Sequence, residues 1–600
     1  MKHFFASLLG TLAAFLLLAL GAVVVTVGVL GVVAMMGNRT VIVEDRSYLV
    51  FDLSVNVTDA PPQFDSSAIT QALTGGGEPM TLQLRAVTDA IGRAAKDSRI
   101  AGILLVGEMT PSGYGSGFAA LKELRQALVD FRASGKPVMA YLENATTLEY
   151  YLASAADEIV LDPYGMIAMP GLASEPMFYA GAFEKFGVGV QVTRVGKYKS
   201  AVEPFIRQDL SPENREQYTQ LLGDIWSDLI ADIAEGRGLT PEDIQALVDK
   251  EGLIRPDVAV ASKWVSRTAY RDEVLAELKE RTGVDDGDDY FTQISLETYA
   301  RLPVPGLATA SRHGRVAVVY AEGEIVDGEG NIGEVGGTRF ARELRRLRQD
   351  DDIDAIVVRV NSPGGSATAS EHIQREIRLA KEDKPVVISM GSYAASGGYW
   401  ISAYGDRIFA EPSTITGSIG VFGLQFDVKK LANETLGLTF DSVKTGQYAD
   451  LFTITRPKTE GELAVIQSMV DWIYEEFITK VAEARKIDRT VVQEIAQGRV
   501  WSGTQALDLG LVDEIGGLDA ALAHAASTAG LGDNYRIVEF PREKPLAEAL
   551  VEMIEGIRPA TRSSVASRWL ARLQEPLVGL DKFNDPRGVY ARLPIDLRIR

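Results

Sequence analysis

Short apolar runs alternate with amphipathic stretches along most of this chain. Ile100 to Val106 and Pro137 to Leu142 are apolar enough to form buried strands, and Phe118 to Phe131 between them places its leucines on one stripe of a helix. The pattern also predicts a strand at Tyr48 to Val57 and a helix at Leu82 to Ala95. Strands that alternate with helices predict an α/β fold, in which a parallel sheet carries helices on its faces.

The same order of elements recurs in the C-terminal half, at an offset of about 250 residues. Ser154 to Pro163, for example, aligns with Ala403 to Pro412. A tandem duplication explains this correspondence. The pattern divides the chain into a first repeat at 47–290, a linker at 291–312, a second repeat at 313–540, and C-terminal helices with an extended tail at 541–600.

The N-terminus carries an apolar segment long enough to cross a membrane. Phe4 to Met36 is 33 residues without a charge, whereas roughly 20 suffice to span a bilayer as a helix. A cleavable signal peptide is the alternative, but its apolar core would be shorter and would end at a small-x-small site. We therefore predict an uncleaved transmembrane anchor at 1–38. Lys2 favours a cytoplasmic N-terminus, which in a two-membrane bacterium places the protein on the inner membrane with its bulk in the periplasm.

Composition narrows the possible functions. With 46% hydrophobic and 24% charged residues the chain can form ordinary globular cores, and a net charge of −21 argues against a nucleic-acid partner. The absence of cysteine excludes disulfides and thiol catalysis, and the four histidines show no metal-ligand spacing. We therefore expect neither a metal nor an organic cofactor.

The most informative stretch is Lys384 to Gly423. Val386 to Met390 predicts a buried strand, and the run Ala-Ala-Ser-Gly-Gly-Tyr-Trp that follows has Ser396 at its centre. A helix is predicted to begin near Gly397, so the Ser396 hydroxyl would lie beside free backbone N–H groups and the positive end of a helix dipole. Both stabilise a developing oxyanion. An ordinary serine N-cap without a catalytic role is the alternative.

A second glycine-rich stretch, Asn361 to Ser366, follows a predicted strand at Ala355 to Val360. Adjacent glycines after a proline can turn their N–H groups towards a neighbouring group, because no Cβ obstructs them. Gly364 or Gly365 is therefore a candidate for the second half of an oxyanion hole, together with the N–H of Gly397.

These two stretches, together with Thr-Gly-Ser-Ile-Gly at Thr416 to Gly420, resemble in order and spacing the motifs of the long-type signal peptide peptidases (protease IV, peptidase family S49). The resemblance implies that each repeat is a Clp-protease or crotonase-like domain, and that Ser396 is the nucleophile of a peptidase. It implies a homotetramer and substrates with apolar side chains before the scissile bond. It also implies that Ser418 helps to hold a catalytic lysine, although a turn serine between two glycines is the alternative.

The duplication and the resemblance together identify a base for Ser396. In the alignment of the repeats Ser396 faces Thr147, so the first repeat has lost the nucleophile. Conversely, Lys199 faces Ala449, so the second repeat has lost the lysine. The resemblance assigns the role of base to the lysine of the Tyr198 to Phe205 run, which is Lys199. A lysine can act as a base near neutral pH only if burial lowers its pKa from about 10.4.

Other candidate bases are less well supported. His372 falls inside an amphipathic helix, where a surface or capping role is more common. Lys197 and Lys444 serve as controls for Lys199. Any single lysine could be a solvated surface charge rather than a catalytic base.

The sequence thus predicts a membrane-anchored serine endopeptidase with a Ser–Lys dyad, which degrades remnant signal peptides in the membrane after their release from secreted proteins. A catalytically inactive membrane scaffold of the same fold and a crotonase-type acyl-CoA enzyme are the alternatives. The sequence does not determine whether Lys199 meets Ser396 within one chain or between two chains.

Overall fold

The computed structural model describes residues 42–63, 80–285, 290–303, 314–542 and 589–593. The predicted anchor at 1–38, part of the predicted linker and the predicted C-terminal helices lie outside these residues. Within the described ranges, no helix combines the length and the apolar character that crossing a bilayer requires.

Strands and helices alternate through the first repeat. They are, in chain order, β1 (Ser47–Asp52), β2 (Val55–Thr58), β3 (Met80–Gln83), α1 (Leu84–Lys96), β4 (Ile100–Val106), α2 (Phe118–Ala133), β5 (Val138–Thr146), α3 (Thr147–Ala153), β6 (Glu158–Ala168), α4 (Ala180–Phe186), β7 (Gly189–Val195), α5 (Glu203–Ile206), α6 (Pro212–Arg237), α7 (Pro241–Glu251), β8 (Leu253–Ile254), α8 (Pro256–Ala261), β9 (Arg267–Thr268), α9 (Arg271–Thr282), β10 (Gln293–Ser295) and α10 (Leu296–Ala300). The main sheet has the strand order β10-β1-β4-β5-β6-β8, with β9 beside β6. Strand β10 lies inside the predicted linker and pairs with β1.

The second repeat contains a similar succession of elements. They are β11 (Gly314–Glu322), β12 (Glu324–Val326), β13 (Glu334–Gly336), α11 (Gly337–Gln349), β14 (Ala355–Ser362), β15 (Gly364–Ser366), α12 (Ala367–Asp383), β16 (Val386–Ala395), α13 (Gly397–Ser402), β17 (Arg407–Ala410), β18 (Ile415–Gly417), β19 (Val421–Asp427), α14 (Glu460–Arg485), α15 (Arg489–Ile495), β20 (Val500–Ser502), α16 (Gly503–Asp508), β21 (Glu514–Ile515), α17 (Leu518–Thr528) and β22 (Tyr535–Phe540).

The main sheet of the second repeat has the order β22-β11-β14-β16-β18-β20, with β17 beside β16 and β21 beside β17. This order matches that of the first sheet and confirms the predicted duplication of an α/β domain. Every residue of the central strand β14 is buried, as expected for a parallel sheet that is covered on both faces.

Two element boundaries differ from the sequence prediction. A single strand over Tyr48 to Val57 is wrong, because the Asp52 carboxylate accepts a hydrogen bond from the Ser54 N–H at 2.9 Å and turns the chain. Strand β2 then pairs with β3 rather than continuing β1. Because β3 occupies Met80–Gln83, the predicted helix at Leu82 begins two residues later.

A third sheet joins the two repeats. It has the order β13-β12-β15-β23-β19-β7, in which β23 (Val589–Arg592) comes from the C-terminal tail. Strand β7 belongs to the first repeat and pairs antiparallel with β19 of the second, from Val195 opposite Val421 to Gly189 opposite Asp427. Because of this pairing, the segment of the first repeat that follows β7 lies against the second repeat.

A buried ionic cluster also joins the repeats. Arg359 on β14 is 0% exposed and donates to Asp59 at 2.7 Å and to Glu123 at 2.5 Å, both in the first repeat. It also donates to Ser389 Oγ at 2.8 Å. Burial lowers the pKa of Arg359, but the ion pairs with Asp59 and Glu123 outweigh burial and raise the pKa above its usual value.

Replacement of Arg359 by methionine is expected to lower the free energy of unfolding by about 3–5 kcal/mol, because it leaves two buried carboxylates without a counter-charge. Denaturant titration measures this change. The matched control is Arg407→Met: Arg407 pairs with Glu514 at 2.9 Å, but both side chains are exposed. The control should cost no more than about 1 kcal/mol. Equal losses for the two variants would show that the cluster does not hold the repeats together.

Candidate active site

Ser396 stands at a strained turn between β16 and α13. Its backbone has φ 56° and ψ −110°, a conformation that serine rarely adopts. Such a conformation costs about 1–3 kcal/mol and persists where its surroundings enforce it. Here the Ser396 N–H donates to the Gly417 carbonyl at 2.7 Å. The hydroxyl makes no capping hydrogen bond, so the alternative of an ordinary serine N-cap does not describe this turn.

Glycines allow the two predicted motifs to approach each other closely. A Cβ on Gly398 would lie 2.6 Å from the Ser362 carbonyl oxygen, and a Cβ on Gly364 would lie 2.6 Å from the Gly397 backbone nitrogen. Real Cβ atoms essentially never make such short contacts. The structure thus brings the Asn361 to Ser366 loop against the start of α13, as a two-part oxyanion hole requires.

Lys199 reaches Ser396 from the first repeat. Its Nζ lies 2.7 Å from Ser396 Oγ, 2.9 Å from the Ser418 carbonyl oxygen and 3.0 Å from Ser418 Oγ. All three side chains belong to residues that are 0% exposed. The contact is made within one chain, which answers the question that the sequence left open.

The surroundings of Lys199 favour its neutral form. Burial lowers the pKa of Lys199 well below the ordinary value of a lysine, since the charged form loses its hydration. A neutral amine has two N–H donors and one lone pair. The two donors match the carbonyl and the hydroxyl of Ser418, so the lone pair is left for the Ser396 O–H proton. A general base requires this arrangement.

Ser418 is itself held in place by hydrogen bonds to backbone carbonyls of the segment at Gly498 and Arg499. Its backbone has φ 48°, and its N–H donates to the Arg499 carbonyl at 2.7 Å. Its hydroxyl donates to the Gly498 carbonyl at 3.3 Å, which leaves an oxygen lone pair to accept from Lys199. This geometry matches the supporting role that the resemblance implies for Ser418.

The path of the Lys199 side chain is lined by glycines that the sequence analysis did not single out for this role. A Cβ on Gly498 would lie 2.6 Å from Lys199 Cβ, and a Cβ on Gly420 would lie 3.2 Å from Lys199 Cδ. The Tyr198 N–H also donates to the Gln497 carbonyl at 2.9 Å. The segment after β7 therefore packs closely against the second repeat. A side chain at Gly498 or Gly420 would crowd Lys199.

A buried polar network positions the backbone on both sides of Lys199. Gln217 Nε2 donates to Ser200 Oγ at 2.8 Å and to the Tyr198 carbonyl at 3.2 Å, while Gln217 Oε1 accepts from the Val500 N–H at 3.2 Å. Ser200 Oγ donates to Asn214 Oδ1 at 2.8 Å. Sequence reasoning missed Gln217 and Asn214, because polar positions on a long amphipathic helix ordinarily face solvent.

The other candidate bases make their contacts elsewhere. Lys197 is exposed, and its Nζ lies 4.9 Å from the centre of the Tyr198 ring. Lys444 forms an ion pair with Asp450. His372 is exposed on α12.

The first repeat has an ordinary helix start where the second has the strained serine. Helix α3 begins at Thr147, directly after its N-cap Thr146. Thr146 pairs with Ala168 as Ala395 pairs with Gly417, so the strand register places Thr147 at the position of Ser396, as the alignment of the repeats predicts. Thr146 has φ −89°, and it forms a capping box with Glu149. Ala449, which faces Lys199 in the alignment of the repeats, is exposed.

Comparison with known proteins agrees with this geometry. Residues 130–285 and 378–532 match peptidase family S49, and residues 316–434 match Clp protease. Protease 4 of Salmonella typhi is 35% identical over 568 residues, which cover 91% of this chain and 90% of that protein. Protease 4 of Haemophilus influenzae is 35% identical over 547 residues, or 86% of each chain. The chloroplastic serine protease SPPA of Arabidopsis thaliana is 32% identical over 518 residues, or 85% of this chain and 74% of that protein.

The fold and the site define a serine-type peptidase with a Clp-like architecture. The chain belongs to peptidase family S49. Membership of a peptidase family argues against the crotonase-type acyl-CoA alternative.

Proposed function

We propose that this protein is a membrane-anchored serine endopeptidase in which Ser396 and Lys199 form the catalytic dyad. The observation that carries the proposal is the 2.7 Å contact between Lys199 Nζ and Ser396 Oγ, made by two residues without solvent exposure. Ser396 Oγ attacks the substrate carbonyl while Lys199 takes its proton, and Lys199 then protonates the leaving amine. Water hydrolyses the resulting ester by the same proton route in reverse.

Backbone N–H groups at the start of α13 and in β15 are the proposed oxyanion donors. Gly397 is the first residue of α13, so its N–H has no acceptor within that helix. Gly364 donates its N–H to Ser362 Oγ at 3.2 Å. Gly365 instead faces Ala591 across the β ladder. Gly364 or Gly365 is therefore the proposed second donor, beside the Gly397 N–H.

Remnant signal peptides are the proposed substrates. The motif resemblance supports this class, and so does a relative from Enterococcus faecium described as a putative signal peptide peptidase, 35% identical over 242 residues. The predicted anchor at 1–38 supports it further, because an anchored enzyme stays beside the bilayer in which cleaved signal peptides remain. On the same basis we place the enzyme on the bacterial inner membrane, with its bulk on the periplasmic side.

A homotetramer is the proposed assembly. Large apolar side chains are exposed on two segments near the third sheet, and exposed apolar surface of this kind is typical of protein interfaces. They include Met177 (68% exposed), Phe186 (62%), Leu436 (60%), Phe440 (54%) and Phe452 (75%). Light scattering of the detergent-solubilised protein should give about four times the 65.0 kDa chain mass, after subtraction of the detergent.

Cleavage of a synthetic signal peptide in lipid vesicles tests the proposed function. Full-length protein reconstituted into the same vesicles should cleave the peptide, and the Ser396→Ala protein should not. Cleavage of short soluble peptides without cleavage of the vesicle-bound signal peptide would support the peptidase activity but reject signal peptides as its substrates.

The pH dependence of peptide hydrolysis is expected to follow the titration of Lys199. The lysine acts as a base only after it has lost its proton, so kcat/KM should rise with pH and reach a plateau well below pH 10.5. Rates measured between pH 5 and pH 10 give the profile. The His372→Ala and Lys197→Ala variants should keep it unchanged. A rate that rises only near pH 10.5, or a profile that shifts in His372→Ala, would contradict a buried lysine base.

A further inference from the structure

Arg499 lies beside both halves of the candidate site. It directly precedes β20, and its carbonyl accepts a hydrogen bond from the Ser418 N–H at 2.7 Å. Two residues earlier, the Gln497 carbonyl accepts from the Tyr198 N–H at 2.9 Å. The same short segment therefore binds the residue that holds Lys199 Nζ and the residue that precedes Lys199.

The Arg499 side chain lies over one aromatic ring from each repeat. Its Cζ is 5.0 Å from the centre of the Tyr198 ring and 4.6 Å from the centre of the Trp501 ring. A guanidinium at this distance is attracted by the negative face of a ring. Trp501 in turn packs closely on the residue before Ser418, since a Cβ on Gly417 would lie 2.6 Å from Trp501 Cδ1. Arg499 therefore connects the ring beside the lysine to the ring beside Ser418.

A carboxylate on α6 completes this group of contacts. Glu216 accepts hydrogen bonds from Tyr198 Oη at 3.0 Å and from Arg499 Nη1 at 2.9 Å, and these bonds lower the pKa of Glu216. The Glu216 side chain is 55% exposed, whereas that of Arg499 is 17% exposed. An ion pair with an exposed partner contributes little, so the contacts of the guanidinium with the two rings are the more important ones.

The geometry of Lys199 depends on both partners of Arg499. Lys199 Nζ lies 2.9 Å from the Ser418 carbonyl oxygen and 3.0 Å from Ser418 Oγ, so a shift of Ser418 changes two hydrogen bonds of the amine. A shift of Tyr198 moves the backbone from which the Lys199 side chain extends. A general base must lie within hydrogen-bond reach of the proton that it takes, and a misplacement of about 1 Å can lower the rate by about 100-fold.

We propose that Arg499 is a positioning residue, which acts through Tyr198 and Ser418 to keep Lys199 Nζ within hydrogen-bond distance of Ser396 Oγ. This role rests on the proposed peptidase function of the same site. Because the role requires no contact with substrate, loss of the Arg499 side chain lowers kcat rather than raising KM. It also loosens the packing around Lys199 and admits water. Burial is what lowers the pKa of Lys199, so water raises this pKa towards its ordinary value and shifts the profile of kcat/KM to higher pH.

Steady-state hydrolysis of a fluorogenic peptide by full-length Arg499→Ala protein tests the proposal. We expect kcat to fall by roughly 10- to 100-fold. The ratio kcat/KM should fall by the same factor, and its rise with pH should occur at higher pH than in wild type.

The matched control is Arg378→Ala. Arg378 also lies over a ring, with its Cζ 4.6 Å from the centre of Tyr404, and it also pairs with a carboxylate, that of Glu483 at 3.8 Å. Neither partner is a chain neighbour of Lys199 or Ser418. The control loses contacts of the same kind, and it should keep the kcat and the pH profile of the wild-type protein.

A second variant makes the test independent of how well Arg499→Ala folds. Tyr198→Leu removes the ring but keeps an apolar side chain and the N–H that binds Gln497. We expect the same loss of kcat and the same shift of the pH profile. Because the two side chains act as one contact, the double variant should lose little more than either single variant. Losses that multiply in the double variant would show independent roles and overturn the proposal.

Amide hydrogen exchange gives a readout that does not depend on hydrolysis. The Ser418 and Tyr198 N–H groups should exchange faster in full-length Arg499→Ala protein than in wild type, and at the wild-type rate in Arg378→Ala. Unchanged exchange in Arg499→Ala, equal kinetic losses in Arg499→Ala and Arg378→Ala, or a change in KM alone would overturn the proposal. A wild-type chain that cleaves no peptide would reject the proposed function, and the exchange rates would still decide the role of Arg499.

Discussion

Replacement of Ser396 by alanine is expected to lower kcat/KM for peptide hydrolysis by roughly 10⁴- to 10⁶-fold, the loss typical of removing a catalytic nucleophile. The hydroxyl is the atom that the geometry directs at the base: it lies 2.7 Å from Lys199 Nζ and makes no capping hydrogen bond. Hydrolysis of a fluorogenic peptide measures the loss, and circular dichroism should show an unchanged fold.

The matched control for this variant is Ser402→Ala. Ser402 is also 0% exposed and lies at the other end of α13, where its hydroxyl donates to the Gly398 carbonyl at 2.7 Å. Its loss should cost about 1 kcal/mol of stability and should leave hydrolysis within a few-fold of wild type. Activity in Ser396→Ala close to that of Ser402→Ala would refute the assignment of the nucleophile.

Replacement of Lys199 by alanine is expected to lower kcat by a similar factor, because the serine then lacks a base within reach. Lys199→Arg should fail as well, since a guanidinium stays charged and cannot accept a proton. Lys197→Ala and Lys444→Ala should retain activity, as both lysines lie at least partly exposed with contacts away from Ser396. Steady-state kinetics of the four variants measure these effects.

A mixing experiment tests whether the two residues of the proposed dyad come from the same chain. Lys199 and Ser396 meet within one chain, so mixing full-length Lys199→Ala with full-length Ser396→Ala protein under subunit exchange should restore no activity. Recovery of activity would show that the two residues meet across chains instead.

Local patterns sufficed for much of the fold and for the residues that meet at the candidate site. The strand order occurs twice, as the duplication predicts, and the structure brings Ser396, Lys199 and Ser418 together. These features could be predicted from the sequence because each depends on a short run of residues. Comparison of the two repeats also pointed to residues that one copy keeps and the other has lost.

The features that the sequence did not predict depend on contacts between distant segments. Arg359 occurs within an apolar strand, and nothing near it in the sequence indicates that Asp59 and Glu123 neutralise it. Gln217 holds the backbone beside Lys199 from a helix that follows it. The docking site of β23 depends on two strand edges that lie far from it along the chain, so an extended tail was all that the local pattern could indicate.

Mass-spectrometric mapping of a serine-directed phosphonate tests the central claim most directly. The reagent reacts only with an activated serine, so the account predicts one labelled residue, Ser396, in wild-type protein. The same label should be lost in Lys199→Ala and retained in Lys197→Ala. Labelling of a different serine, or labelling of Ser396 at the wild-type rate without Lys199, would contradict a dyad built across the two repeats.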